Sequence, residues 1–340
     1  MHMADALVAP AVAGTMYVLS TAAAGVSVNE VRKESAPEKI PVMGVMGAFV
    51  FATQMLNFTI PGTGSSGHLC GGMMLSALLG PFAGFLTMIG VLLVQCLLFA
   101  DGGLLALGCN VWNMAFYGCF IGALLIWRPM MKKGATRGKI IAASIVGCVL
   151  TLQLGAFSVC IETLLSGVTE LPFSLFLATM QPIHLAIGLV EGLITAAVLV
   201  FVHEARPELL WGVGDKTDAK EGKLSFKTTI IVLAVCAAVA GGAISLVASA
   251  FPDGLEWSME KVAGTTELEA EGGAYDAAAG IQETTSLLPD YAFKDSESAV
   301  GTSFSGIVGS LVVVGITVGA CYAFRFFKKK EKISEANAPS

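Results

Sequence analysis

Charge is scarce in this sequence of 340 residues: Asp, Glu, Lys and Arg together make up 14% of it, against 55% hydrophobic residues. Soluble globular domains carry about 25% charged residues, so the sequence does not fit that class. The basic residues form no stripe with interleaved aromatic side chains, and we expect no binding to nucleic acid. Apolar runs recur instead from Ala6 to Phe327. The sequence therefore predicts an all-α integral membrane protein.

Nine apolar segments can be placed between polar loops, at about 20 residues per crossing. Because Lys and Arg concentrate in cytoplasmic loops, the basic clusters at 32–39, 128–139, 206–227 and 325–330 are expected inside. An even number of crossings must then lie between the first two clusters, which requires a break at Gly80-Pro81. We therefore expect a multi-pass protein of the cell membrane, with its N-terminus outside and its C-terminus in the cytoplasm. We place the segments at 8–29, 41–58, 69–79, 81–99, 109–127, 140–165, 174–204, 228–250 and 304–326.

The polar stretch 206–227 divides the chain into two blocks. We predict a seven-segment block at 1–205, a cytoplasmic linker at 206–227, a two-helix block at 228–326 and a cytoplasmic tail at 327–340. Between the last two spans lies an extracytoplasmic segment, 251–303, which is acidic and rich in Gly, Ala, Glu and Ser. Such a composition favours a loosely structured segment.

The sequence lacks the motifs of several kinds of site and processing signal. None of the eight cysteines lies in 251–303, so neither a disulfide framework nor a CxxC metal site is indicated. The sequence contains no GxxxxGK[ST], so we expect no ATP hydrolysis by this chain, and no bound cofactor is expected. No basic residues precede the first apolar run, and we expect no cleaved signal sequence.

One of only four histidines is the second residue, next to the α-amino group. In a Met-His terminus the amine of Met1, the deprotonated amide nitrogen of His2 and its imidazole Nδ1 can chelate one ion with three nitrogens in a plane. His68, on the glycine-rich outside loop NFTIPGTGSSGHLCGG, can supply a fourth. An all-nitrogen planar set suits Ni²⁺ or Cu²⁺, and also low-spin Co²⁺.

Other readings of these residues stay open at this point. An N-terminal His can be an accident of position, and a lone loop His is usually a surface residue. Residues 62–67 spell GxGxxG, but they follow a membrane span without a βαβ unit, so nucleotide binding is not supported. His184 and Glu191 share one helix face at i, i+7, and either packing or ligation accounts for them.

Four stretches, taken in order, resemble the cobalt/nickel substrate-capture component of energy-coupling factor transporters, the CbiM/NikM family. They are MHMADA, PGTGSSGHLCGGMMLSALLGP, VQCLLFADGGLLALGCNVWNM and HLAIGLVEGLITAAV. The resemblance implies that Met1, His2 and His68 bind the transported Ni²⁺ or Co²⁺. It further implies that Asn110 supports the loop without contacting the ion. It also implies separate partners, namely a transmembrane coupling (T) protein and cytoplasmic ATPase subunits.

The second block contains FPDGLEWS, which resembles the PDGLE segment of the small two-helix companion (NikN-like) protein of the same transporters. The helix–ectodomain–helix order of 228–326 matches that companion, here fused through the linker. We therefore expect a transporter subunit and not an enzyme. A membrane metal sensor or enzyme using the same histidines, or a copper channel, is the alternative, although no nucleophile–base pair is apparent. The sequence does not choose between nickel and cobalt.

Overall fold

The computed structural model describes residues 1–34, 39–214, 222–294 and 298–336. Residues 215–221 of the predicted linker and 337–340 of the predicted tail lie outside the described residues. Helices dominate the described ranges, joined by short 3₁₀ turns such as Asp5–Leu7 and Pro289–Tyr291. The helices are α1 (Pro10–Glu34), α2 (Lys39–Gln54), α3 (Gly72–Leu79), α4 (Pro81–Phe99), α5 (Leu107–Met131), α6 (Arg137–Ser166), α7 (Phe173–Ala205), α8 (Phe226–Gly242), α9 (Gly254–Ala263), α10 (Gly273–Thr285) and α11 (Ala299–Ala336).

Seven helical stretches of the described residues are long and apolar enough to cross a bilayer. They comprise α1, α4, α5, α6 and α7 in the first block, and Phe226–Val247 and Val300–Ala323 in the second. The all-α membrane class predicted from the sequence is thereby confirmed. Two further segments are shorter. Helix α2 has 16 residues, and α3 has 8 residues, every one of which is buried. A helix as short as α3 must satisfy its ends inside the protein.

The predicted break between α3 and α4 lies at Gly80. Its φ of +84° is a left-handed conformation that favours glycine, and Pro81 then opens α4 at the first helical position. The indole of Trp211 fills the space beside Gly80, where a Cβ would lie 2.7 Å from its Nε1. Both backbone and packing therefore exclude a continuous helix through this point.

The two spans of the second block pack against α2 of the first, and α11 also contacts α4. Where α8 crosses α11, Gly241 faces Gly306 so closely that a Cβ on Gly306 would lie 2.1 Å from the Gly241 carbonyl oxygen. Small residues at such crossings let helix backbones approach within a membrane. The second block is thus packed along the side of the first.

The prediction that 251–303 is loosely structured is wrong for most of its described residues. Helix α9 begins with a capping box between Asp253 and Glu256 and buries Leu255 and Met259. Helix α10 is held by Gln282, whose Nε2 donates to the carbonyl oxygens of Cys96 (3.0 Å) and Gly102 (2.9 Å). Composition missed these helices because their stability depends on contacts with the first block.

A short antiparallel hairpin carries the loop with His68. Strand β1 (Phe58–Ile60) pairs with β2 (Ser65–Gly67), with Thr59 opposite Ser66. The turn between the strands contains the first two glycines of the GxGxxG pattern, Gly62 and Gly64, with φ of +78° and +76°, and the third glycine, Gly67, ends β2. This pattern therefore serves a hairpin turn.

Candidate metal centre

The first three residues are buried or nearly so. Asn110 fixes Met3 twice: its Oδ1 accepts from the Met3 N–H (2.7 Å) and its Nδ2 donates to the Met3 carbonyl (3.1 Å). The N–H of Gly103 donates to the same carbonyl (2.9 Å). These bonds direct the α-amino group of Met1 into a pocket against His68.

His68 is buried and its ring orientation is set by its own loop. The Nδ1–H donates to the carbonyl oxygen of Leu69 (2.9 Å), which leaves a lone pair on Nε2. That Nε2 lies 2.8 Å from the α-amino nitrogen of Met1. A hydrogen bond to the second ring nitrogen is how proteins usually orient a metal-binding imidazole.

Glu191 on α7 anchors the backbone just after His68. Its two carboxylate oxygens accept from the N–H groups of Cys70 (3.0 Å) and Gly71 (2.9 Å). His184, two turns before Glu191 on the same face of α7, lines the same pocket as Met1 and His68, and its Nδ1–H donates to the Met180 carbonyl (2.8 Å). The sequence analysis left packing and ligation open for His184 and Glu191. The structure shows that Glu191 positions the loop.

His2 lies beside the pocket, with its ring stacked on that of His68 at a centroid distance of 5.3 Å. Its Nδ1 is 3.1 Å from a carboxylate oxygen of Asp101, and its Nε2 is 3.3 Å from Oε1 of Gln95. The structure thus brings the amine and His68 into contact, whereas the Nδ1 of His2 faces Asp101. Asp101 in turn accepts from the Tyr291 hydroxyl, a residue of the second block.

Asp253 of the second block reaches the centre of the site. Its Oδ2 contacts the α-amino group of Met1 and lies 3.6 Å from the Nε2 of His68. The sequence analysis missed this residue as part of the site. The D-x-x-E pattern of Asp253 and Glu256 does predict a helix cap, but no local signal reports a contact across 252 residues of chain.

The charges of the site depend on this contact. Burial disfavours a charged amine at Met1, but the Asp253 carboxylate outweighs it and raises the pKa of the amine above its ordinary value. Burial likewise disfavours a charged Asp253, yet the positively charged amine of Met1 holds the pKa of its carboxyl well below the usual range. Burial lowers the pKa of His2 to about 4, against the opposing effect of Asp101. His2 is therefore neutral at physiological pH, the form that binds metals.

The donor set available to an ion here is unusual. Within the described residues, no three His, Cys, Asp or Glu side chains come together as a group able to hold a metal ion. The amine of Met1 is a further nitrogen in reach of His68, 2.8 Å from its Nε2. Two bonds of about 2.0 Å, typical of imidazole nitrogen, place two nitrogens about 2.8 Å apart when they meet at a right angle.

Two family models match consecutive parts of the chain. Residues 2–209 match the CbiM model, described as the cobalt uptake substrate-specific transmembrane region, and residues 227–326 match the PDGLE domain. The sequence is 34% identical to the putative fused nickel transport protein NikMN of Archaeoglobus fulgidus over 93% of this chain and 96% of that one.

Further relatives differ in the metal that their names carry. The probable fused nickel transport protein LarMN of Lactiplantibacillus plantarum is 28% identical over 92% of this chain and 95% of its own. The cobalt transport protein CbiM of Geobacter sulfurreducens is 32% identical over 61% of this chain and 60% of its own. A crystal structure described as a truncated transition metal transporter, 28% identical, superposes with a TM-score of 0.53 and covers 60% of this chain and 99% of that one.

Proposed function

Because this chain belongs to the CbiM family of nickel and cobalt transport proteins, fused to a PDGLE domain, we propose that it captures Ni²⁺ or Co²⁺ on the outer face of the cell membrane. The ion is then taken up by an energy-coupling factor importer. The ligands are the amine of Met1, the amide nitrogen and Nδ1 of His2, and the Nε2 of His68, with Asn110 as support.

The observation that carries this proposal is the separation of 2.8 Å between the Met1 amine and His68 Nε2. It matches two neighbouring ligands of one ion, and the lone pair of His68 already faces the amine. The nitrogen set suits Ni²⁺ and low-spin Co²⁺, with a slight preference for Ni²⁺ from the planar geometry.

His2 completes the planar set after a rotation of its side chain. The neutral ring turns its Nδ1 from Asp101 toward the amine. The ammonium of Met1 and the amide nitrogen of His2 each release one proton to water as they bind the ion. In the structure the ring lies between Asp101 and Gln95, with their oxygens 3.1 Å from Nδ1 and 3.3 Å from Nε2. The rings of His2 and His68 then occupy adjacent positions around the ion.

Energy for uptake comes from partners, a transmembrane coupling (T) protein and cytoplasmic ATPase subunits. The sequence supports this division, since it has no GxxxxGK[ST] of its own. We further propose that the basic clusters of both blocks, and the linker 206–227 that joins the blocks, lie in the cytoplasm. The N-terminus is then outside and the C-terminus inside.

Uptake of radioactive Ni²⁺ and Co²⁺ tests the function. Cells that carry this chain with the coupling protein and the ATPase subunits should accumulate one of the two ions, and cells lacking the ATPase subunits should not. The double variant His2→Ala/His68→Ala should abolish uptake, whereas the matched variant His203→Ala, at the far end of α7, should not change it. Equal uptake by the double variant and the parent would contradict the proposal.

A further inference from the structure

The stretch 249–257 of the second block is docked on the hairpin that leads to His68. The N–H of Ser66 donates to the carbonyl oxygen of Pro252 (2.8 Å), and the Ser66 hydroxyl donates to the carbonyl oxygen of Phe251 (2.7 Å). The indole Nε1 of Trp257 donates to the carbonyl oxygen of Thr63 (3.1 Å). Bonds at both ends of the stretch therefore hold it against the outer edge of the site.

Close packing places the middle of this stretch deep in the pocket. A Cβ on Gly254 would lie 2.8 Å from the Cδ1 of Ile187 and 3.0 Å from the Cε1 of His184. A side chain at residue 254 would force Ile187 or His184 to move, so glycine suits this close approach to α7. The backbone at Gly254 thus brings the preceding residue, Asp253, to the pocket that Met1 and His68 line.

The two oxygens of Asp253 have separate tasks. Oδ1 accepts from the N–H groups of Leu255 (2.8 Å) and Glu256 (2.9 Å) at the start of α9. The same cap is closed by Glu256, whose Oε2 accepts from the N–H of Asp253 (2.9 Å). With Oδ1 engaged in this way, the carboxylate is locked in orientation and Oδ2 points at Met1 and His68. Carboxylates that bind metals are commonly oriented by such hydrogen bonds to the second oxygen.

We propose that Asp253 supplies a carboxylate oxygen to the transported ion, so that the second block contributes directly to the metal site. This inference rests on the proposed function. A divalent ion bound by the amine, one deprotonated amide and two neutral imidazoles keeps one positive charge, and leaving that charge unpaired in a buried pocket is costly. Oδ2 of Asp253 is the acidic oxygen in contact with the amine and balances this charge.

The ion takes the place of the positive amine as the partner of Asp253. In the structure Oδ2 pairs with the α-amino group; when the amine binds the ion, the same oxygen faces the ion itself. Docking of 249–257 and ion binding therefore stabilise each other, and by linkage the effect is reciprocal. Release of the ion toward the interior requires this bond to be given up.

Titration of the purified full-length chain with Ni²⁺ in detergent, followed by its visible absorption spectrum, tests the inference. We expect Asp253→Asn and Asp253→Ser to weaken Ni²⁺ affinity by about tenfold or more and to shift the absorption bands. Both replacements retain an oxygen able to cap α9. The matched control Glu260→Gln, which removes an exposed carboxylate from the same helix, should leave affinity and spectrum unchanged.

Two results would overturn the inference. Unchanged affinity and spectrum in both Asp253 variants would show that the carboxylate does not contact the ion, and tighter binding would show that it merely competes with the ion for the amine. Either result requires a parent protein that binds Ni²⁺. A parent that binds neither Ni²⁺ nor Co²⁺ would contradict the proposed function instead.

Discussion

Glu191 grips the backbone of Gly71: one carboxylate oxygen accepts from the Gly71 N–H at 2.9 Å, while the other accepts from the neighbouring N–H of Cys70 at 3.0 Å. Cys70 lies two residues and Gly71 three residues after His68. The position of the His68 ring thus depends on a carboxylate of α7, 120 residues away in sequence from Gly71.

Replacing Glu191 should therefore impair the site without removing a proposed ligand. Glu191→Ala leaves two buried N–H groups without a partner, each at a cost of about 1–3 kcal/mol. We expect a lower melting temperature and at least about tenfold weaker Ni²⁺ binding. Glu204→Gln, on the same helix but partly exposed, is the control and should change neither. A Glu191→Ala protein that binds Ni²⁺ as tightly as the parent would show that the loop holds its shape unaided.

His68→Ala removes one of the four proposed nitrogens and leaves the three of the Met-His terminus. Binding of Ni²⁺ should weaken strongly but not vanish, and uptake in cells with the partner subunits should fall with it. Isothermal titration on purified protein and uptake assays measure the two effects, with His203→Ala as the matched control. Uptake by His68→Ala at the level of the parent would exclude the proposed joining of loop and terminus.

Asn110 is expected to act through the path of the terminus and not through the ion. Asn110→Ala removes both hydrogen bonds to Met3, at 2.7 and 3.1 Å, and Ni²⁺ affinity should drop about tenfold. Asn110→Asp keeps an acceptor for the Met3 N–H but sets a second oxygen against the Met3 carbonyl, so it should be no better. The Ni²⁺ absorption bands of the residual complex should match those of the parent, because the ligands are unchanged. Shifted bands would indicate that Asn110 contacts the ion.

Topology can be measured by labelling single cysteines with a membrane-impermeant maleimide. In a Cys236→Ser background, which removes the exposed native thiol, Glu271→Cys in the 251–303 segment should react from outside intact cells. Lys223→Cys in the linker should react only after the membrane is opened. Both residues are exposed in the structure. The reverse pattern would place the site formed by Met1, His68 and Asp253 on the cytoplasmic face.

Much of the fold was predictable, because long apolar runs report membrane spans directly and Gly80-Pro81 marks a break that parity of the basic loops also demands. His68 stood out for its loop, and Met1 and His2 for their place at the terminus. The contacts of Asp253 and Glu191 were not predictable. Each joins groups more than 100 residues apart, and the partners of Glu191 are backbone N–H groups, which every sequence contains. The orientation of His2 toward Asp101 likewise depends on tertiary packing.

Extending the N-terminus tests the terminal amine as a ligand. Inserting Lys to give Met-Lys-His moves the imidazole to the third position, where the amine, two amide nitrogens and the imidazole already provide four nitrogens. His68 is then redundant, since the ion has a full planar set within the tail. We expect this variant to bind Ni²⁺ in detergent but to lose uptake, because the ion no longer joins the terminus to the loop that should close over it.

A longer N-terminal affinity tag turns the amine into an ordinary amide, and it should abolish high-affinity binding as well as uptake. The structure adds a steric reason, since Met1 is buried and its amine contacts His68 and Asp253, so a preceding residue would crowd both. The same tag placed after Ser340 is the control and should preserve uptake. The three proteins are compared side by side in cells carrying the coupling and ATPase subunits. Full uptake by the N-terminally tagged protein would mean that the amine is no ligand, and the place of His2 beside it would then carry no chemical meaning.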